Sequence, residues 1–198
     1  MTDGRAREWL EAGGFFDWPA PESARDASKL RVFHAEFGDP EAPTLLLLHG
    51  FPTSSLDWYD VVGPLSRENR VCVLDLPGFG FSDKPKGEPY TVERDSELVG
   101  HYLEEVLGAR AGAVVAHDRG DSIALLFTAR CAAADSRFEL RHLVLSNGNM
   151  FLPLSNPHEL PAVAARSRVR RPSSGCGDAR GARGGHGREH VHPAPITR

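Results

Sequence analysis

The sequence predicts an α/β fold in which a mostly parallel sheet is flanked by helices, with the last part of that architecture missing. Two continuous apolar runs, Leu45-Leu46-Leu47-Leu48 and Val71-Cys72-Val73-Leu74, are short, bounded by glycine and proline loops, and suited to strands buried on both faces. Between and after them lie segments with apolar residues at helical spacing, and strands that alternate with helices favour a parallel sheet. The third observation is the stretch VVAHDRGDSIAL at 114–125, which reads as a strand, a sharp turn and a helix with a carboxylate at the apex.

Taken in order, residues 8–13 form an amphipathic start that leads to a strand over 29–37, closed by the turn Gly38-Asp39-Pro40. The strand at 45–48 delivers the loop His49-Gly50-Phe51-Pro52, and a helix follows over 55–65, which Gly63-Pro64 cuts short. The next strand, 71–76, runs into Pro77-Gly78-Phe79-Gly80-Phe81-Ser82-Asp83-Lys84-Pro85. That glycine-bearing turn lacks the Lys-Ser/Thr ending of a phosphate loop, and Pro85 favours a loop over a helix start. Over 92–107, Leu98, Val99, Tyr102, Leu103, Val106 and Leu107 share one helical face, with Thr91 as N-cap and Gly108 past the end. A helix over 122–134 follows the turn, with Ile123, Leu126, Phe127 and Arg130 in the same rhythm, and 140–145 reads as the next strand. Reaction sites on such sheets lie at the carboxyl ends of the strands, where His49, Asp75 and Asp118 all fall.

The turn Ala116-His117-Asp118-Arg119-Gly120 has the small-x-nucleophile-x-small pattern of a strained strand-to-helix elbow that lifts one side chain above the sheet. The flanking residues Ala116 and Gly120 are small because the strand and helix backbones approach closely there. A carboxylate is ionised at neutral pH and attacks saturated carbon without needing a base for that first step, so Asp118 is the candidate nucleophile. The same residue also suits plain capping of the helix that begins near Arg119. The backbone N–H groups of Phe51 and Arg119 are the candidate oxyanion donors, with His49, Gly50, His117 and Gly120 as supporting neighbours.

Together, HGFPTSS (49–55), DLPGFGFSDKP (75–85), HDRGDS (117–122) and LSNGNMF (145–151) resemble, in order and spacing, the α/β-hydrolase superfamily. The resemblance is to its epoxide hydrolase and haloalkane dehalogenase branch, and within that to the mesoderm-specific transcript-like hydrolases, whose HD-x-GD form Asp121 matches. It covers about residues 8–155. It implies that Asp118 attacks an electrophilic carbon of an epoxide or organohalide to give an enzyme ester, which a histidine-activated water then hydrolyses, an acid orienting the histidine. Several positions depart from the subfamilies. Dehalogenases usually carry Trp after the nucleophile and often Asn after the HG pair, where this chain has Arg119 and Phe51. Fluoroacetate dehalogenases carry a second Arg where Ser122 stands, and the tyrosines Tyr59, Tyr90 and Tyr102 all fall in the core region rather than in a lid.

Composition changes after residue 157. Residues 165–198 hold eight Arg and six Gly but no Leu, Phe, Trp, Tyr or Lys, which leaves nothing to build a core. That segment carries +6, so residues 1–164 carry −10 of the net −4. The expected organisation is therefore residues 1–157 as the N-terminal part of an α/β-hydrolase core and 158–198 as a disordered tail of the kind an altered reading frame produces. A basic nucleic-acid-binding extension is the other reading of that tail. No cofactor or metal is expected: Cys72, Cys131 and Cys176 have no metal spacing, and His186, His190 and His192 lack Cys or acid partners. The expected partner is a small-molecule substrate of the full-length form, without nucleic acid or membrane, in the cytoplasm, since no apolar stretch reaches the ~18 residues of a span and the N-terminus has no signal-peptide core. The sequence does not fix the oligomeric state. The orienting acid and base histidine of the resembling family usually follow the seventh and eighth strands, so a single esterification without sustained turnover is expected, or else a catalytically dead fragment or binding protein. A non-hydrolytic use of the fold, such as a lyase, also stays open. Multiple turnovers on a panel of epoxides and haloalkanes would overturn that expectation.

Overall fold

The computed structural model describes residues 4–19, 29–86 and 90–148. The expected boundary near residue 157 and the Arg- and Gly-rich segment lie outside these residues. Helix α1 (Gly4–Ala12) runs directly into strand β1 (Gly13–Pro19), followed by β2 (Lys29–Phe37), β3 (Thr44–Leu48), a 3-10 turn (Ser55–Trp58), α2 (Tyr59–Leu65), β4 (Arg70–Leu74), α3 (Val92–His101), β5 (Ala111–His117), α4 (Arg119–Ala132) and β6 (Glu139–Ser146). The six strands form one sheet in the order β1-β2-β4-β3-β5-β6. Strands β4, β3, β5 and β6 are parallel, with Leu45 paired to Val71 on one side and Ala113 on the other. The β1-β2 and β2-β4 pairs are antiparallel.

All five residues of β3 are buried because the sheet is covered on both faces. Alternate side chains divide between two cores. On one face Leu46, Leu48, Cys72, Leu74, Val114 and Ala116 pack against Leu98, Val99, Tyr102, Ile123 and Phe127 of the α3 and α4 side. On the other, Leu45, Leu47, Val71 and Val73 meet Trp9, Phe33, Ala35 and Val62.

Several sequence expectations need adjustment. Strand β1 has no counterpart in the sequence reading, because Trp18 is its one buried residue and it pairs on one side only among the described residues, so no clean alternation marks it. The strand expected over 71–76 ends at Leu74, since Asp75 and Leu76 turn away to bind loop groups. The helix expected over 55–65 starts as a 3-10 turn capped by Ser54 and turns α-helical at Tyr59, closing one residue after Pro64. The helix expected over 92–107 is α-helical only to His101. From Tyr102 to Val106 it widens to a π turn, in which the Leu107 N–H reaches the Tyr102 carbonyl at 2.9 Å, and Gly108 leaves at a φ of +64°. Thr91 caps α3 as expected, accepting from the Arg94 N–H. Helix α4 begins at Arg119 rather than Ser122, so Arg119 and Gly120 of the elbow open its first turn and Asp118 stands alone between strand and helix.

Phe127 is fully buried between α3 and the start of β6, 6.0 Å from the Phe138 ring and close to Gly100. Truncation there leaves a cavity that neither helix can close. Phe127→Ala is expected to lower the free energy of unfolding in urea by about 3–5 kcal/mol.

Candidate active site

Three loops at the carboxyl ends of β3, β4 and β5 form the site, and two buried side chains hold the first two together. Asp75 is fully buried, and its carboxylate accepts the Ser55 N–H at 2.7 Å and the Phe81 N–H at 2.7 Å. Its carbonyl accepts the Ser82 hydroxyl at 2.6 Å, and that hydroxyl in turn accepts the Phe33 N–H. His49 is equally buried. Its Nε2 accepts the Leu76 N–H at 3.0 Å, so the ring is neutral there and Nδ1–H donates to the Gly50 carbonyl at 2.8 Å. Burial lowers the His49 pKa, against the smaller upward pull of the Gly50 carbonyl and of Asp75 and Asp57.

The elbow itself is strained. Asp118 sits at φ 53° and ψ −119°, outside the regions that residues with a Cβ ordinarily adopt. Close approach explains why glycine stands on either side: a Cβ on Gly120 would come within 2.8 Å of the Leu48 and His49 carbonyls, and one on Gly50 within 2.6 Å of the Asp118 Cβ. The Phe51 N–H donates to Asp118 Oδ1 at 2.8 Å, and the Arg119 N–H donates to the same oxygen at 2.6 Å. Asp118 Oδ2 accepts no hydrogen bond among the described residues. The structure thus brings Phe51, Asp118 and Arg119 onto one atom, with His49, Gly50, His117 and Gly120 around them.

A helix cap does not account for this geometry. Capping residues take ordinary extended backbone angles and accept from the second or third helical N–H, whereas Asp118 is left-handed and accepts from the first. Backbone strain of this kind costs on the order of 1–3 kcal/mol and persists where the surroundings enforce it.

The residues flanking Asp118 are both engaged by carboxylates that sequence reasoning did not single out. Arg119 Nη2 binds Asp95 at 2.5 Å and the Tyr90 carbonyl at 3.1 Å. Asp95 is buried, which pushes its pKa up, while Arg119 opposes that rise. The guanidinium is therefore part of the scaffold between α4 and α3. His117 Nε2 lies 3.2 Å from Asp57 Oδ2, with the Trp58 ring edge-on at 5.2 Å. Asp121 is fully buried under the end of β6. Its Oδ1 accepts the Ser146 N–H at 3.4 Å and its Oδ2 has no partner among the described residues. Burial raises its pKa, and nearby Asp118 adds to that rise.

Neither imidazole beside the elbow is placed to act on an Asp118 ester: both His49 nitrogens are bound elsewhere, and His117 Nε2 faces Asp57. His101 stacks near Phe16, and His142 is exposed on β6. Among the described residues no group of three or more His, Cys, Asp or Glu is arranged to hold a metal ion, and no helix is long and apolar enough to cross a membrane.

The α/β hydrolase fold family model matches residues 43–174. The human mesoderm-specific transcript homolog protein is 36% identical over 156 residues, covering 75% of this chain and 43% of that protein. Haloalkane dehalogenase of Mycolicibacterium paratuberculosis is 34% identical over 145 residues, covering 72% of this chain and 46% of the enzyme. Among solved structures, haloalkane dehalogenase DatA from Agrobacterium tumefaciens superposes with a TM-score of 0.55 at 25% identity, covering 70% of this chain and 42% of that one. The chain thus spans slightly less than half the length of these relatives.

Because the folded His49 titrates below the ordinary value of 6.5, the unfolded chain takes up its proton first as pH falls. Its contribution to stability is complete above about 6.5 and is lost as the pH drops from there toward the folded pKa. Urea unfolding between pH 8 and 5 is expected to show declining stability, and His49→Gln is expected to be less stable at pH 8 but to decline less on acidification.

Proposed function

The chain belongs to the α/β-hydrolase fold family, and on that premise we propose that it carries the nucleophilic half of a hydrolase that passes through an alkyl-enzyme ester at Asp118. The observation that supports this reading is the sharing of Asp118 Oδ1 by the Phe51 and Arg119 N–H groups. Two donors on one oxygen orient the carboxylate and leave Oδ2 for attack. On an epoxide, Oδ2 forms a bond to a ring carbon as the carbon–oxygen bond breaks, and the released alkoxide takes a proton from water, leaving hydroxide to the solvent. On an organohalide, the carbon–halogen bond breaks instead and the halide departs with the electron pair. In both cases Asp118 Oδ1 becomes the carbonyl oxygen of the ester.

Hydrolysis reverses the polarity of the site. Water attacks Asp118 Cγ, negative charge collects on Oδ1, and the two N–H groups already point at it. Collapse of that intermediate expels the alcohol or diol and restores the carboxylate. The elbow therefore serves the first step as an orienting clamp and the second as an oxyanion hole, without rearrangement between them. The water-activating histidine of this scheme is not one of the imidazoles beside the elbow, which have other partners. Turnover thus requires a base from outside the described residues, and without it the reaction stops at the ester.

An uncharged electrophile fits best, because the Arg119 guanidinium is already paired with Asp95. Incubation of the full chain with a terminal epoxide is expected to raise its intact mass by the mass of the whole epoxide, on the peptide containing Asp118. Asp118→Asn is expected to lose the adduct, since an amide is a far weaker nucleophile. An adduct that persists in the variant, or that never forms in the parent with any epoxide or haloalkane, would remove Asp118 from this role.

A further inference from the structure

The two oxyanion donors come from different loops, Phe51 after β3 and Arg119 at the start of α4, and something must hold them at a fixed separation. Backbone pairing of β3 with β5 ends at Leu48 and Ala116, before either donor. Beyond that point a polar chain continues across the gap. His117, the residue before the nucleophile, places Nε2 3.2 Å from Asp57 Oδ2. That same carboxylate oxygen accepts the Thr53 hydroxyl. Thr53 closes the circuit onto Gly50, the residue before the first donor, through its N–H, which donates to the Gly50 carbonyl at 3.3 Å, while its one hydroxyl proton goes to Asp57. Trp58 backs the His117 ring edge-on at 5.2 Å. The Arg119–Asp95 pair, by contrast, ties the elbow to α3 and does not reach the Phe51 loop.

We propose that Asp57 is a positioning residue, which bridges His117 to Thr53 and so sets the spacing between the Phe51 and Arg119 N–H groups. It touches neither the reacting oxygen nor the nucleophile. The chemistry it requires is modest: His117 carries a proton on Nε2 and donates it to the carboxylate, and the carboxylate also accepts from the hydroxyl. Half-exposed groups of this kind add little to global stability, so the effect is local to the loop. The catalytic part of this inference rests on the Asp118 nucleophile reading, whereas the structural part does not.

Two readouts on the full chain separate them: amide exchange at Phe51 by NMR, and the single-turnover rate of adduct formation at Asp118 with an epoxide. Asp57→Ala is expected to speed Phe51 exchange by about tenfold or more while core amides such as Leu46 exchange as before. Adduct formation is expected to slow by about tenfold in parallel, the scale of a misplaced rather than a missing group. Asp57→Asn, which still accepts from His117 and Thr53 through one oxygen, is expected to restore both. Thr53→Val removes a single link and serves if Asp57→Ala unfolds the chain; it is expected to give the same local loosening. Faster Phe51 exchange with no adduct in any form upholds the brace and defeats the nucleophile reading. An adduct rate and Phe51 exchange that match the parent in both Asp57→Ala and Thr53→Val would overturn the proposal.

Discussion

The left-handed backbone of Asp118 is the constraint from which the rest of the site follows. Only at those angles does a residue at the end of a central parallel strand lift its carboxylate to meet the Phe51 N–H while its own successor's N–H bends back to the same oxygen. The conformation demands that the neighbouring chain have no side chain at Gly50 and Gly120. It also demands a rigid foundation, because strain of this size relaxes wherever the surroundings yield. The parallel strands β3 and β4, buried on both faces, and the α4 helix that starts immediately after the turn supply that rigidity.

The foundation extends sideways through buried polar groups that are fully engaged by hydrogen bonds from the loops. His49 is kept neutral by a backbone N–H that leaves no room for a proton on Nε2, and Asp75 is held by backbone N–H donors from two separate loops. These groups have little freedom to act as acids or bases and much to do with where the loops lie. Asp121 differs. It sits three positions after Asp118 on α4 with one oxygen bound weakly and the other without a partner among the described residues.

What was legible in the sequence was whatever depends on local pattern. The apolar runs of β3 and β4, the Thr91 cap and the small residues around Asp118 each announce themselves within a few positions. The convergence of the Phe51 and Arg119 N–H groups was legible for the same reason, since both are backbone groups fixed by motif position. Strand β1 was not, because an edge strand with one buried side chain carries no periodic signal. The π turn after His101 was not, because a register change of one residue leaves the apolar spacing nearly intact. Asp57 and Asp95 were invisible for a different reason. Each is an ordinary acidic residue on the first turn of a helical segment, and its importance arises from a partner that only the tertiary fold brings near.

Cys72, placed in the middle of β4 within the core, bears on which side chains of the fold an electrophile can modify. Burial pushes its thiol up to about 12, and burial raises the thiol of Cys131 as well. The thiolate is the reactive form of cysteine, so neither residue presents an appreciable fraction of it in neutral solution. Among the described residues both cysteines are thereby held as thiols, so an electrophile that reaches the folded chain at neutral pH meets oxygen and nitrogen groups in place of thiolate sulfur.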